Sequence, residues 1–445
     1  MPSPAPAPLA TSLAEHLQEV RRKLSHCDLN GLARSSGFLR RAPRKIPMLD
    51  FLLALLALAT ECCLSLERVA AVIGLAAGVS YSKQALHKRL TDRLERFLAQ
   101  VAVSLFGQLS QAADLQRWLQ PFARVLLHDS TTQAHPEHLA AVFPGSSNQR
   151  NHRQAAVKVQ LIADLREGTV HHLSLSSFRR NDQAAAPDIL EIARRGDLIL
   201  RDLGYWALHV FESLLLKGAF FLSRYHHSTT VLDPRTGQPL DLAYLLRTQG
   251  RLDREVWLGE THKVSVRLVA LPVPEAVANE RRRRARANRD RRLHPSPQRL
   301  FLLGWNIFVT NVDRHTWPPK AIQPIYRLRW RIEMIFKAWK SHLGLRELNT
   351  RSPALLRLSL MTKLLFCVLV CQVCYQLELL GTDARHVSLL RLARICAECS
   401  CLIAAAILGI SPQRWLNHHL NTHAFYERRP DRKNFFEMLA ELTQA

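Results

Sequence analysis

The stretch Phe122-Ala-Arg-Val-Leu-Leu-His-Asp129 marks where the pattern of the chain changes from helical to β-like. A short apolar run that ends in polar residues is typical of a buried strand. Residues 156–163 and 170–177 then alternate apolar and polar side chains, with Gly168 between them, so they predict a β-hairpin. Up to residue 224 the order is strand, hairpin, helix, strand, helix and strand, which predicts an α/β domain built on a mixed sheet.

On either side of this core the pattern is different. The sequence predicts five segments: 1–118 (helical), 119–224 (first part of the core), 225–318 (a β-rich insertion), 319–350 (a core helix) and 351–445 (helical). Residues 66–90 predict a helix-turn-helix for DNA binding, although a helical hairpin with a solvated basic face fits the same residues. The insertion contains an Arg-rich arm, 281–292, that is typical of an interaction segment, with a charged solvated helix as the alternative.

The charge of the chain indicates a polyanionic partner. Its 445 residues carry a formal net charge of +24 at pH 7, and self-repulsion of that size favours DNA, RNA or an anionic membrane as a partner. A solvated basic surface is the alternative. The two most apolar stretches, 47–66 and 355–380, both contain charged residues, so they predict buried helices and no membrane partner. The N-terminal residues show no secretory signal pattern, and we expect a cytoplasmic protein.

The cysteine pattern and the lack of a nucleotide-binding motif argue against a zinc site and a nucleotide cofactor. Nine cysteines without paired C-x2-C knuckles favour reduced core thiols over a zinc site. The pattern G-x-x-x-x-G-K-[ST] does not occur, so we expect no nucleotide cofactor.

Two aspartates, Asp129 and Asp202, stand in the same sequence context. Each follows a short apolar run, and each is expected to end a buried strand and open a polar loop. The carboxyl ends of neighbouring strands are where open α/β sheets gather ligands, and Mg²⁺ would remove the repulsion between two carboxylates. Two such ions suit phosphodiester cleavage. Taken singly, either aspartate also fits an ordinary strand-end cap.

A third carboxylate lies in Tyr326-Arg-Leu-Arg-Trp-Arg-Ile-Glu-Met-Ile-Phe-Lys-Ala-Trp-Lys340, which predicts one amphipathic helix. Steps of three or four residues place five polar side chains on one face of that helix, namely Tyr326, Arg329, Glu333, Lys337 and Lys340. The pattern fits a metal-binding Glu333 whose neighbouring cations grip phosphates. It also fits a surface helix with i, i+4 salt bridges.

These residues resemble the signature of DDE transposases of the bacterial insertion-sequence-four family. The signature spacing, a tyrosine, an arginine, a glutamate and a lysine separated by two, three and six residues, is met at Tyr326, Arg329, Glu333 and Lys340. Residues 128–132 and 200–206 are similar to the two aspartate boxes of the family, and a long gap precedes the glutamate as it does in the family. The resemblance covers roughly residues 120–345.

The resemblance implies an RNase H-like catalytic core, a mixed five-stranded sheet with helices, interrupted by the β-rich insertion. It implies that Asp129, Asp202 and Glu333 are catalytic and bind two Mg²⁺ or Mn²⁺ ions per active site. The implied DNA contacts are Tyr326, Arg329, Lys340, Arg224, Trp305 and, as a weaker candidate, Lys337. Trp305 would stack on a flipped base, and a core tryptophan in a strand is the alternative.

The resemblance also implies the reaction and the partners. The protein would bind terminal inverted repeats, cleave DNA at the element ends and transfer the 3′-hydroxyl ends into target DNA. A homodimer in a synaptic complex is expected, with the helical C-terminal region as the contact. Two other classes stay open, a catalytically silent DNA-binding protein and a nuclease of the same fold without strand transfer.

Overall fold

The computed structural model describes residues 9–40, 46–59, 64–78, 81–105, 116–147, 153–166, 169–287, 295–343, 350, 352–380 and 388–423. The chain forms two compact units. One comprises Ala102–Ala338, and the other combines Met1–Val101 with Trp339–Ala445. The first unit contains the sheet and the second is built from helices.

The helices of the described residues are numbered in chain order. They are α1 (Leu9–His26), α2 (Leu29–Ser35), α3 (Met48–Ala57), α4 (Leu66–Ala77), α5 (Lys83–His87), α6 (Asp92–Leu105), α7 (Gln116–Leu119), α8 (Asp182–Ala185), α9 (Leu208–Leu216), α10 (Leu242–Gln249), α11 (Glu275–Arg286), α12 (Pro297–Leu302), α13 (Pro319–Arg327), α14 (Trp330–Ser341), α15 (Pro353–Leu380), α16 (Leu389–Glu398), α17 (Ser400–Leu408) and α18 (Pro412–His423).

The strands belong to one ten-stranded sheet. They are β1 (Val125–His135), β2 (Pro144–Ser147), β3 (Arg153–Asp164), β4 (Val170–Ser177), β5 (Leu198–Arg201), β6 (Phe220–Arg224), β7 (Val231–Leu232), β8 (Leu252–Leu258), β9 (Val264–Pro272) and β10 (Trp305–Thr310).

Five neighbouring strands, in the order β4-β3-β1-β5-β6, form the part of the sheet that holds the two aspartates. β1, β5 and β6 are parallel, whereas β3 is antiparallel to both β1 and β4, so the prediction of a mixed sheet with helices is confirmed. The sheet is larger than the five strands that the resemblance implies. β10 pairs antiparallel with β6, and β9, β8 and β7 follow it, so the strands of the insertion continue the same sheet.

One face of this sheet is covered by an apolar cluster. Leu126, Ile199 and Phe221 point into it from β1, β5 and β6, and Val309 joins from β10. Because successive residues of a strand face opposite sides, the residues at odd spacing from these positions lie on the other face. Asp129 and Arg224 are three residues beyond Leu126 and Phe221, so they belong to that second face.

The helical unit contains the two apolar stretches of the sequence, in α3 and α15. Residues 353–373 are long and apolar enough to cross a membrane, with a mean hydropathy of 2.0, but 78% of that window is buried. The core helix of a soluble protein passes the same test, so this burial favours the predicted buried helix. Within it, buried Lys363 donates to the carbonyls of Ala59 (3.1 Å) and Leu343 (3.4 Å), which accounts for a charge inside an apolar helix.

The predicted helix-turn-helix 66–90 corresponds to α4 and α5. α4 ends at Ala77, and Gly78 follows it in the left-handed conformation (φ 69°). Ser82 caps α5 by accepting a hydrogen bond from the Ala85 N–H, and α5 spans only five residues. DNA binding by this pair stays a prediction.

Candidate active site

Asp129 lies in the middle of a strand, so the prediction that it ends its strand is wrong. β1 runs on to His135, because its antiparallel ladder with β3 extends from Leu126 to the end of the strand. Its parallel ladder with β5, however, stops at the pair His128–Arg201. Asp129 therefore stands where the neighbouring strand ends.

Asp202 and Arg224 occupy the corresponding positions on the next two strands. The register aligns Leu127 with Leu200 and Leu200 with Leu222. Two residues after Leu127, Leu200 and Leu222, the three chain segments contain Asp129, Asp202 and Arg224, respectively. Asp202 directly follows β5, as predicted, and Arg224 is the last residue of β6.

The predicted single helix 326–340 is two helices. Tyr326 lies in the last turn of α13, Arg329 lies in the turn that follows, and Glu333 lies in the first turn of α14. Backbone N–H groups of Leu328, Arg329 and Ile332 bond to carbonyls three residues earlier, which is the tighter 3-10 pattern. Since residues three apart still share a face in such a turn, the grouping read from the helical spacing survives the break.

The Arg329 guanidinium lies among all three carboxylates. Its Nη1 is 3.2 Å from Asp129 Oδ2, its Nη2 donates to Glu333 Oε1 at 2.6 Å, and its Nε is 3.8 Å from Asp202 Oδ1. Tyr326 Oη donates to the same Asp202 oxygen at 3.4 Å. Three of the four signature residues, Tyr326, Arg329 and Glu333, thus meet the two aspartates at one place on the second face of the sheet.

Burial and charge set the protonation of this cluster. Burial raises the pKa of Asp129 to about 7, the Ser130 N–H and Arg329 lower it, and the charges of Asp202 and Glu333 raise it again. Burial lowers the pKa of Arg329, but its neighbours Tyr326, Asp202 and Asp129 raise it above the ordinary arginine value. Burial likewise raises the pKa of Tyr326 to about 12. Arg329 is therefore firmly charged, and Asp129 holds its proton weakly near neutral pH.

The donor set suits a divalent cation. Three carboxylates offer the oxygen ligands that Mg²⁺ and Mn²⁺ take, and a cation already joins them in the form of Arg329. Within the described ranges, no three acidic, histidine or cysteine side chains stand together in a geometry that holds a metal. The Arg329 guanidinium lies among the carboxylate oxygens that would bind such an ion.

Comparison with known proteins assigns this cluster to a family. The model of the family described as Transposase DDE domain matches residues 120–370, which include all three carboxylates and more than half of the chain. The chain belongs to the DDE transposase family. The resemblance to DDE transposases read from the signature spacing is confirmed.

Several curated relatives carry transposase names. The transposase for insertion sequence element IS231B of Bacillus thuringiensis subsp. berliner is 28% identical over 73% of this chain and 72% of its own length. The transposase for IS231D of Bacillus thuringiensis subsp. finitimus is 29% identical with the same coverage. The transposase for IS1151 of Clostridium perfringens is 24% identical over 73% of each chain.

The predicted DNA contacts of this DDE transposase lie at different depths around the carboxylates. Arg224 pairs with Phe308 of β10, whose ring is 5.2 Å from that of Tyr326. Lys337 is exposed in α14, and Lys340 is half-buried in its last turn. Arg224 and Tyr326 thus adjoin the cluster, whereas the two lysines continue along α14.

Trp305 is not brought together with the carboxylates. It is half-buried at the start of β10, packs against the apolar cluster on the first face of the sheet and has the Phe301 ring 6.2 Å away. The same strand sends Phe308 to the second face. This packing favours the core interpretation of Trp305, and its stacking on a DNA base stays a prediction.

The sequence reading missed a buried pair directly behind the aspartates. His128 and Arg201, which precede Asp129 and Asp202, are fully buried and in register on β1 and β5. The Tyr205 ring lies 4.1 Å from the His128 ring and 5.2 Å from the Arg201 guanidinium carbon. Burial lowers the pKa of His128 well below its ordinary value, so His128 is neutral. A polar residue at the end of each apolar run was the only signal for this pair.

Proposed function

We propose that the chain is the transposase of an insertion sequence and acts on DNA. In this proposal it binds the terminal inverted repeats of its element, cleaves DNA at the element ends and transfers 3′-hydroxyl ends into target DNA. The observation that carries the proposal is that Asp129, Asp202 and Glu333 all lie within 4 Å of the Arg329 guanidinium. The family match and the transposase names of the relatives support it.

The three carboxylates would hold two Mg²⁺ or Mn²⁺ ions. Once bound, two such ions activate an attacking hydroxyl and stabilise the leaving oxygen of a phosphodiester. Asp129 is suited to this task, because burial keeps its pKa near 7 and makes its charged form depend on a nearby cation. Strand transfer exchanges one phosphodiester bond for another, so the proposed reaction needs no nucleotide cofactor.

Arg329 and Tyr326 would contact the carboxylates before DNA binds and DNA phosphates afterwards. A guanidinium binds carboxylates and phosphates through the same forked geometry. Arg329 therefore holds the carboxylates together before DNA arrives and would pass to a phosphate of the element end afterwards. Tyr326, Arg224, Lys337 and Lys340 would contact further phosphates, and the net charge of +24 would make binding fall steeply with salt.

Two element ends must be joined in one complex, so we propose a homodimer. The helical region 351–445 is the proposed contact, and DNA binding would place the protein at the bacterial nucleoid. The Arg-rich arm 281–292 and the helix pair in 66–90 would add to DNA binding; residues 288–292 of the arm lie outside the described residues.

The test replaces each carboxylate with its amide, as Asp129→Asn, Asp202→Asn and Glu333→Gln. Each change should lower Mg²⁺-dependent cleavage of a terminal duplex by more than about 100-fold, the upper range for residues that only support metal ligands. Binding to the same duplex should persist, since the phosphate contacts remain. Glu275→Gln, an exposed carboxylate at the start of α11, is the matched control and should cleave normally.

The DNA products distinguish a transposase from the two other classes of protein, a nuclease without strand transfer and a silent DNA-binding protein. Cleavage without joined DNA would identify a nuclease without strand transfer. Binding by the wild-type protein with no cleavage in Mg²⁺ or Mn²⁺ would identify a silent DNA-binding protein. Full cleavage by any of the three single variants would overturn the assignment of the carboxylates.

A further inference from the structure

Two arginines converge on the face of the sheet that carries the carboxylates, Arg224 from the end of β6 and Arg281 from α11. Arg224 pairs with Phe308 of β10, and Arg281 Nη2 donates to Asn306 Oδ1 at 2.9 Å. Asn306 and Phe308 are two residues apart on one strand, so both face the side of the sheet that carries Asp129. The two guanidinium groups therefore lie on the face where the proposed chemistry takes place.

Neither arginine has an acidic partner in the part of the chain that the structure describes. Arg281 donates only to neutral oxygens, the Asn306 amide and, at 3.4 Å, the carbonyls of Leu303 and Trp305. Burial lowers the pKa of Arg281, and the nearby charge of Arg224 lowers it further. Two like charges that repel each other without a protein counter-ion favour an external anion.

The next arginines of the arm are different. Arg282 pairs with Glu275, and Arg283 and Arg284 both pair with Glu280. Arg283 and Arg284 are exposed, with side chains 72% and 76% accessible, whereas Arg281 is half-buried. Only the first arginine of this run of four is turned towards the sheet and left without a carboxylate.

Arg281 is held in place relative to the carboxylate cluster. Asn306, which accepts from Arg281, donates through Nδ2 to Gln323 Oε1 at 3.2 Å. Gln323 lies on α13, one turn before Tyr326. The guanidinium is therefore anchored through α13, which also carries the tyrosine at the cluster. Its Nε makes no hydrogen bond to the described residues, which leaves a donor for a bound anion.

We propose that Arg281 and Arg224 form a clamp for one backbone phosphate of the bound DNA, beside the phosphate that is cleaved. A phosphate accepts two parallel bonds from one guanidinium fork, and its non-bridging oxygens have further lone pairs that a second guanidinium can reach. The clamp rests on the proposed function, since it requires DNA at the carboxylate face. It makes Arg281 the DNA-contacting member of the arm nearest to the reaction.

The experiment compares Arg281→Gln with Arg283→Gln, which removes the same charge from the same helix. Binding is measured on a terminal duplex in which single phosphates are replaced, one at a time, by uncharged methylphosphonates. For the wild-type protein, one position near the cleavage site should cost about tenfold in affinity, the value of one good charged contact. In Arg281→Gln the sensitivity at that position alone should fall to about the contribution that Arg224 makes, and Arg283→Gln should keep the wild-type sensitivity.

Asn306→Ala is the second variant, because it keeps both charges and removes the anchor. It should weaken the sensitivity at the same position by an intermediate factor. Identical phosphate profiles for Arg281→Gln and Arg283→Gln would overturn the clamp, as would a lower melting temperature of Arg281→Gln with an unchanged profile, the mark of a purely structural contact. If the wild-type protein neither binds nor cleaves terminal DNA, the proposed function fails together with the clamp. If it does both and the profiles match, only the clamp fails.

Discussion

Two buried arginines lie on opposite faces of the same sheet and differ in what surrounds them. Arg329 is on the face of the carboxylates, and Arg201 is on the face of the apolar cluster. Each lies near a tyrosine ring, 5.7 Å from Arg329 to Tyr326 and 5.2 Å from Arg201 to Tyr205. Their burial is similar, since both are less than 10% exposed.

Their charges respond in opposite directions. The carboxylates around Arg329 outweigh burial and raise its pKa above the ordinary value. Arg201 has one hydrogen bond, to the Ala186 carbonyl at 2.8 Å, and no carboxylate within 4 Å among the described residues, so burial lowers its pKa to about 9. Burial alone thus does not mark the site. Charged partners do. Arg201, the last residue of β5, lies on the face of the apolar cluster (the supporting face), and Asp202, the next residue, lies with the carboxylates on the other face (the reactive face).

The largest expected effect is that of Arg329→Gln. Cleavage should fall by more than about 100-fold, because the variant lacks the guanidinium that we propose contacts a DNA phosphate. Mn²⁺ should nevertheless bind about tenfold more tightly, because a positive charge leaves the carboxylates. Calorimetric titration with Mn²⁺ measures the second effect, and it is done at pH 8 because losing Arg329 raises the pKa of Asp129 above about 7.

Arg235→Gln is the control for Arg329→Gln, since Arg235 lies in an exposed turn of the same unit. It should change neither cleavage nor Mn²⁺ affinity. Weaker Mn²⁺ binding by Arg329→Gln would mean that this arginine organises the carboxylates for the ion and does not compete with it.

Tyr205 and Tyr326, which lie beside the two arginines, should differ in how much their hydroxyl groups contribute to the unfolding free energy. Tyr205 Oη donates to Gln160 Oε1 at 2.6 Å, and both residues are buried, so Tyr205→Phe should cost about 1–3 kcal/mol of unfolding free energy. Tyr326 Oη is 3.4 Å from Asp202, whose side chain is 44% exposed. Water replaces that contact in Tyr326→Phe, which should stay within about 0.5 kcal/mol of the wild type.

Denaturant titration of both tyrosine variants provides the measurement, and a cleavage assay accompanies it. Tyr205→Phe should cleave within a few fold of the wild type at a temperature where it is folded. A cleavage defect in Tyr205→Phe without a loss of stability would place this residue among the reactive groups and remove the distinction between the two faces.

The sequence predicted much of the reactive face and little of the supporting one. Spacing alone grouped Arg329 with Glu333, because residues four apart share a helix face whether or not a tight turn intervenes. The strand containing Asp129 was predicted to end too early. Its second half pairs with β3, and no local sequence pattern reveals that pairing. The position of the insertion depends in the same way on the pairing of β10 with β6.

The sequence also did not predict which face of the sheet the last residues of a strand join. An apolar run predicts a strand buried on both faces but does not say which face its last residues join. His128 and Arg201 therefore looked like the polar ends of their runs, and Trp305 looked available to DNA. Packing against Tyr205 and Phe301 decides these orientations, and both contacts depend on the tertiary structure.

The expected effect of Arg201→Met is small. The change removes one hydrogen bond to the Ala186 carbonyl and the contact with the Tyr205 ring, but it also removes a buried charge without an acidic partner. These contributions oppose each other, so the unfolding free energy should stay within about 1 kcal/mol of the wild type. Arg267→Met is the matched control in the same unit, because Arg267 is equally buried but is paired with Asp253 at 2.6 Å. It should cost about 3 kcal/mol or more, since it removes both short bonds to Asp253 and leaves that carboxylate with Arg314 at 3.9 Å. An equal loss in Arg201→Met, measured by the same denaturant titration, would show that the supporting face also relies on a charge pair, and the contrast between the two faces would no longer hold.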